Sequence, residues 1–165
     1  AGTQSVDPLD LYRPWGFQPG HNLEWPRNGL NIYRYTREPW LLTRSQEIFD
    51  HVWSVAWDEQ YGGLRYSFAP NGTWINEDKY FWLQAESFGS AAHLYHATGD
   101  AKYLKHYEKL WLYSWNYFVD HKQGGWWRIL RRNNTKYDNK KNEAGAKCDY
   151  HQIFAISEAL KGMPS

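Results

Sequence analysis

Between Glu38 and about Trp57 the apolar residues Leu41, Leu42, Ile48, Phe49, Val52, Trp53 and Ala56 recur at three- and four-residue spacing, which predicts an amphipathic helix over 38–57. A second stripe, Phe81, Ala85, Phe88, Ala92 and Tyr95, predicts a helix over 80–98 that stops at Gly99. Asp100 is placed to cap a third, over 101–119, with Tyr103, Tyr107, Leu110, Trp111 and Phe118 on its inner face. Two further helices are expected over 21–35 and 148–161. In the first of these Pro26 removes a backbone hydrogen bond and Gly29 weakens the segment. Residues 1–18, with Pro8, Pro14 and Gly16 and no apolar period, read as loop. From Tyr61 to Phe68 the pattern alternates toward Asn71-Gly72, which predicts a short β-hairpin.

The chain repeats itself. Gln123-Gly124-Gly125-Trp126-Trp127-Arg128 echoes Tyr61-Gly62-Gly63-Leu64-Arg65-Tyr66, and Lys147 opens a helix as Lys79 does. Helix, Gly-Gly hairpin and helix at a fixed offset make a supersecondary unit whose inner face needs neighbours, so such units stack or close into a ring. The expected class is all-α, with about five helices in two and a half units.

At 165 residues, with 42% hydrophobic and 22% charged positions, there is material for one core. No run approaches the roughly 18 apolar residues of a membrane span, and the mean hydropathy is −0.83. A formal net charge of +1 supplies no field for a nucleic acid. The single cysteine, Cys148, points to a reducing, cytoplasmic compartment, in which the sequons at Asn71 and Asn133 would stay idle. The chain opens without an initiator Met or a signal peptide, as a piece cut from something longer would. Eleven tryptophans and thirteen tyrosines leave two readings open, large rings filling a helical core or rings lining a cleft that stacks on sugars.

His21 and Glu24 stand three residues apart and share a face if helical, as an acid/base pair, two metal ligands or a solvated helix-start pair. His151 opens the last helix, with Cys148 one turn before it. Trp82 and Glu86, at i and i+4, open the helix that occupies the same place one repeat earlier. His21, Trp82 and His151 therefore start alternate helices, which sets them on one rim of a helical ring. The tract from Arg128 through Arg131, Arg132, Lys136, Lys140, Lys141 and Lys147 reads as a solvated basic loop or else an anion or nucleic-acid site. Dinucleotide, phosphate-loop, Gly-x-Ser-x-Gly and paired Cys-x-x-Cys fingerprints do not occur.

Pro19-Gly20-His21-x-x-Glu24-Trp25, Lys79-x-x-Trp82-x-Gln84-Ala85-Glu86, Gly125-Trp126-Trp127 and Lys147-x-Asp149-Tyr150-His151 together resemble the N-acylglucosamine 2-epimerase superfamily and its aldose–ketose isomerases. The resemblance covers the C-terminal part of such enzymes and implies that residues 1–165 are the C-terminal portion of a single (α/α)6 barrel, left open and inactive alone. It implies that the missing N-terminal half is the partner, since the family places a further histidine and a sugar-binding arginine there. By resemblance His21 and His151 are the acid/base histidines, and Glu24 orients His21 or binds hydroxyls. Trp82 would be a stacking wall, with Trp25 and Glu86 also substrate-binding. The implied reaction takes an aldose to a ketose, mannose to fructose in type, through a cis-enediol, without metal or other cofactor. Epimerisation at C2 of an N-acylated sugar or a disaccharide, or carbohydrate binding without catalysis, are the alternatives. Ala146, where disaccharide epimerases tend to carry a Trp, favours a monosaccharide.

Overall fold

The computed structural model describes residues 15–141 and 149–162. Its elements in chain order are α1 (Pro19–Thr36), α2 (Pro39–Ala56), β1 (Ser67–Phe68), β2 (Trp74–Asn76), β3 (Lys79–Tyr80), α3 (Phe81–Thr98), α4 (Ala101–Tyr117), β4 (Ile129–Leu130) and α5 (Tyr150–Gly162). Helix α3 is the hub: it packs against α1 and α5 at its sides, and α4 and part of α2 cover its back. A helix surrounded in this way should be apolar or small on every face, and from Phe81 to Leu94 every residue of α3 is buried. The arrangement is an inner layer of α1, α3 and α5 with α2 and α4 outside it.

The inner helices run in the same direction. Their N-terminal side chains meet, with the rings of His21 and His151 at 5.1 and 5.6 Å from that of Trp82. Near the other end of α3, Glu158 of α5 bonds His93 of α3 and, at 3.0 Å, Asn31 of α1. Burial pushes His93 below the usual imidazole range against the pull of Glu158. Burial alone would raise Glu158, but the hydrogen bonds from Asn31 and His93 hold it below the usual carboxylate range. A neutral imidazole donating to a carboxylate therefore closes that end.

Pro26 does not break α1. The helix runs continuously from Pro19 to Thr36 with Pro26 inside it and buried. It also starts earlier than the histidine motif suggests, because Pro19 occupies the first turn, where a missing N–H costs nothing. Asp100 caps α4 as expected, its carboxylate accepting from the Lys102 N–H at 2.9 Å.

The Gly-Gly segments make turns of their own, each opened by an aspartate. Asp58 Oδ1 accepts the N–H groups of Gln60 and Tyr61, and Asp58 N and O bond Gly63 O and Gly62 N. Asp120 repeats the pattern with Lys122, Gln123, Gly124 and Gly125. Gly63, at φ +77°, could not be replaced, since a Cβ there would overlap the ring of Tyr113. The expected strand from Tyr61 is accordingly shorter, and only Ser67–Phe68 pairs with Trp74–Asn76 around the Asn71-Gly72 turn. The Gln84 side chain of α3 reads both polar groups of Leu64, accepting its N–H at 2.9 Å and donating to its carbonyl at 2.8 Å.

Beneath the first turn lies a buried charge network. Asp58, with no solvent exposure, meets Arg65 at 2.9 Å, Arg132 at 3.2 Å and Lys79 at 3.4 Å. Burial would raise the Asp58 carboxyl, but the Tyr61 N–H and the three cations hold it below its ordinary value. Lys79 is pushed down to about 8 by burial, against the pull of Asp58. Its ammonium donates to the Arg132 carbonyl at 2.7 Å and to Asn134 at 3.1 Å. Arg132 and Lys141 of the basic tract are thus spent on internal ion pairs.

Lys141 gives the simplest test of this turn chemistry. The Asp120 carboxyl is pulled down to about 2, first by its hydrogen bond from Lys141 and next by the Lys122 N–H. A folded value below the unfolded 3.8 means that the contribution is complete above about pH 4 and is lost as the pH falls through 2. Lys141→Met is expected to be less stable than the parent at neutral pH, the gap narrowing below about pH 4 and closing only as the pH falls below 2 in urea unfolding. A gap independent of pH would refute the pairing.

Candidate functional site

The site grows from the starts of the three inner helices. Pro19 and Gly20 open α1, and Gly20 is required by space: a Cβ on it would overlap the edge of the six-membered ring of Trp82, 2.2 Å from Cζ3 and 2.4 Å from Cη2. This lets α1 close on α3 and sets His21, which is exposed, with its ring 5.1 Å from the indole. Trp82 is 2% exposed. Its place is fixed from behind by β3, which pairs with β4 immediately before the helix, Lys79 with Leu130 and Tyr80 with Ile129. Tyr80 stacks on Tyr66 at 3.9 Å, and burial pushes the Tyr66 phenol up to about 12, against the Gln18 hydrogen bond.

On the far side of Trp82 stands His151, the second residue of α5, fully buried. Its Nδ1 lies 2.5 Å from Oε1 of Glu86, one turn along α3 from Trp82. The other oxygen of Glu86 lies 2.7 Å from Nε of Arg27 on α1, so a buried carboxylate is enclosed by a cation and an imidazole from two different helices. His151 Nε2 has no hydrogen-bond partner among the described residues. An imidazole bonded at Nδ1 by a carboxylate donates there and keeps its lone pair at Nε2, the arrangement of a general base. The Tyr150 ring, half exposed, lies 3.9 Å from that of His151 and covers part of it.

The structure thus brings His21, Trp82, Glu86 and His151 to one rim. Glu24 is half-buried one turn after His21 and, among the described residues, does not bond it. Trp25 turns toward Trp40 on α2, with ring centroids 6.3 Å apart, instead of toward Trp82. Cys148 and Ala146 lie outside the described residues. Among the described residues no three His, Cys, Asp or Glu side chains converge as a metal-ligand set, and no helix is long and apolar enough to cross a membrane. A cavity of about 510 Å³ opens near the opposite ends of the helices, among Tyr33, Arg34, Arg37 and His93, far along α1 and α3 from the histidines of the rim. Sequence reasoning missed Arg27. Its signal was a charge in the apolar phase of α1, between Leu23 and Leu30.

The profile of the N-acylglucosamine 2-epimerase (GlcNAc 2-epimerase) family matches residues 2–155. The chain belongs to this family. It is 50% identical over 155 residues to a D-mannose isomerase of Marinomonas mediterranea, covering 94% of this chain and 39% of that protein. A D-mannose isomerase of Thermobifida fusca is 33% identical over 132 residues, covering 76% of this chain and 32% of the relative. A crystal structure of D-mannose isomerase superposes with a TM-score of 0.91 at 50% identity, over 95% of this chain and 40% of that one. Cellobiose 2-epimerase from Spirochaeta thermophila, at 15% identity and a TM-score of 0.77 over 88% of this chain and 38% of that one, shares the fold. The chain spans about two-fifths of the length of the D-mannose isomerase of known structure and about a third of that of the Thermobifida fusca relative. Its hairpins α1–α2 and α3–α4 and the inner helix α5 are part of an (α/α)6 barrel.

Gly20→Ala tests how the rim is spaced. The added methyl must displace Trp82 or α1, at a cost of about 1–3 kcal/mol for overpacking. We expect lower stability in urea unfolding and an altered near-ultraviolet tryptophan circular dichroism at full secondary structure. An unchanged tryptophan spectrum would show that Gly20 does not set the position of the indole.

Proposed function

We propose that the polypeptide carrying this chain is a sugar isomerase that interconverts an aldose and a ketose, mannose to fructose in type, through a cis-enediol. The observation that carries this reading is the pair of imidazoles on either side of Trp82, one of them held at Nδ1 by a buried carboxylate with Nε2 unpartnered. The names of the relatives supply the substrate class.

In this reading Nε2 of His151 takes the C2 proton of the open-chain aldose once Tyr150 swings aside. The C–H electrons form the C1=C2 double bond, and O1 gains a proton as its carbonyl becomes a hydroxyl. The same imidazole, its proton exchanged with solvent while the enediol persists, protonates C1 as O2 loses a proton and becomes the ketose carbonyl, so no proton or electron is gained or lost overall. His21 exchanges the protons at the oxygens. Glu86 orients His151 and does not touch the sugar, because its side chain is fully buried. Glu24, partly accessible, and Trp25 remain the candidates for contacts to hydroxyls farther along the sugar. Hydrogen bonds aimed at the enediol oxygens supply the stabilisation that the step needs.

The remaining helical hairpins are the partner this reading requires. Ile32 and Tyr35 on α1 and Ile153 and Leu160 on α5 leave large apolar side chains exposed on the first and last inner helices of the arc, and an incomplete ring leaves the rim without its other walls. We place the enzyme in the cytoplasm and expect neither nucleic acid nor membrane among its partners. A second reading, epimerisation at C2, is favoured by the same pair of imidazoles, since proton removal on one face and return on the other needs two bases. A cellobiose 2-epimerase of Ruminococcus albus is 30% identical over 87 residues.

The full-length polypeptide incubated with mannose in heavy water is expected to accumulate fructose carrying deuterium at C1. His151→Ala and His21→Ala should each lower turnover by about 10² or more while the fold persists. Accumulation of glucose instead of fructose would favour the epimerase. Sugar binding without any exchange at C2 would leave a non-catalytic carbohydrate-binding module.

A further inference from the structure

Arg27 is a charged residue where α1 has no need of one for packing. It is 3% exposed, lies between the core positions Leu23 and Leu30, and passes over α3 beside Gly89, where even a Cβ would come within 3.3 Å of its Cδ. Its guanidinium lies over the Phe154 ring, 5.0 Å from the centroid, and its Nε lies 2.7 Å from Glu86 Oε2. That contact is an ion pair outside hydrogen-bond geometry, and Nη1 too has no hydrogen-bond partner among the described residues. Removing a guanidinium from water is costly and is offset only by a close counter-charge. Here the counter-charge is a carboxylate whose other oxygen already serves His151.

We propose that Arg27 is a positioning residue for the reaction, acting on His151 through Glu86. Resting on the isomerase reading, the inference assigns Arg27 a part in that same site. A buried carboxylate facing a lone imidazole has two ways to offset its charge: it can take up a proton from solvent and donate it to Nδ1, which leaves the ring's own proton at Nε2, or it can draw a second proton onto the ring. Either one spoils the base, because Nε2 then carries a proton. With Arg27 against Oε2 the carboxylate keeps its negative charge without help from His151. The imidazole then stays neutral with Nδ1–H toward Glu86 and the lone pair at Nε2. One residue from each of α1, α3 and α5 makes up this chain of contacts, so Arg27 also fixes how α1 sits relative to the base on α5.

The test uses the full-length polypeptide with Arg27→Met, Arg27→Lys, Glu86→Gln and the Arg27→Met/Glu86→Gln double variant. Two readouts are needed, steady-state kinetics on mannose and the ¹⁵N resonances of the His151 ring. In the parent, Nδ1 should read as protonated and Nε2 as bare. Arg27→Met is expected to lose that signature and to lower kcat about 10²-fold with KM changed less than about threefold, since no contact to the sugar is removed. Arg27→Lys should keep the signature and most of the rate. In the Glu86→Gln background Arg27→Met should cost little more, because the group it acts through has gone. A His151 signature unchanged in Arg27→Met, or a loss confined to KM, would overturn the proposal. So would equal losses from Arg27→Met in the two backgrounds. If Arg27→Met fails to fold, the lysine and double variants still decide it. A parent without turnover would sink the isomerase reading, while the ring resonances would still report on Arg27.

Discussion

The carboxylate of Glu86, buried without access to water, sets the terms on which the three inner helices meet. An isolated charge of that kind is too costly to keep, so each of its oxygens must find a partner. Arg27 comes from the helix on one side of α3 and His151 from the helix on the other. Apolar packing alone allows neighbouring helices to slide or turn at small cost, whereas a carboxylate gripped from both sides at 2.7 and 2.5 Å allows one register. At the other end Glu158 does the same with His93 and Asn31, this time as the acceptor between α3 and α1. Tied at both ends, α1, α3 and α5 present their first turns together, and His21, Trp82 and His151 converge as a result.

The first turn of α3 has a second set of restraints, from the loops. Lys79 and Tyr80 form the strand that runs directly into Phe81 and Trp82, so whatever holds Lys79 also holds Trp82. Lys79 is sunk among Asp58, the Arg132 carbonyl and Asn134, and Asn134 in turn ties Tyr61 and Tyr113. Two turns from different repeats are thus locked together under the helix start by groups that carry no catalytic chemistry. Gln84 adds a direct bond from α3 to the first turn through both polar groups of Leu64. The polar residues buried in this family member divide into those that position the loops and those that position the imidazole.

Much of this was legible in the sequence where the signal is local. Apolar stripes located the helices to within a few residues, Asn71-Gly72 marked its turn, and the Gly-Gly repeat pointed to stacked hairpins. The rim followed from the alternation of helix starts, an argument about topology that needs no contact information. What stayed hidden is what depends on a partner distant in the chain. Nothing near Glu86 says that it faces His151, 65 positions away, and the family resemblance implied a sugar contact instead. Pro26 looked like a breaker because its lost hydrogen bond is a local cost, while the burial of α1 against α2 and α3 that offsets it is not. Trp25 and Trp82 are the same residue type at the starts of equivalent helices. Only packing separates them: Trp25 has Trp40 beside it, and Trp82 has the gap left by Gly20.

The aromatic richness can now be divided between packing and chemistry. Among the described residues four of the five exposed indoles are engaged with their own neighbours: Trp40 with Trp25, Trp115 with Trp111 and His121, and Trp74 beneath Arg65 and Arg132. None of these offers a free flat face beside the histidines. Trp82, which does stand beside them, has almost no exposed surface. A ring so covered cannot serve mainly as a platform for a sugar, but it can hold two imidazoles at a fixed separation, which is what an acid and a base sharing one substrate require. The tryptophan content is therefore weak evidence for carbohydrate in this chain, and the spacing that one tryptophan imposes is the stronger indication. A ring that keeps its neighbours apart must be rigid, and the glycine in front of Trp82 and the strand behind it are what make it so.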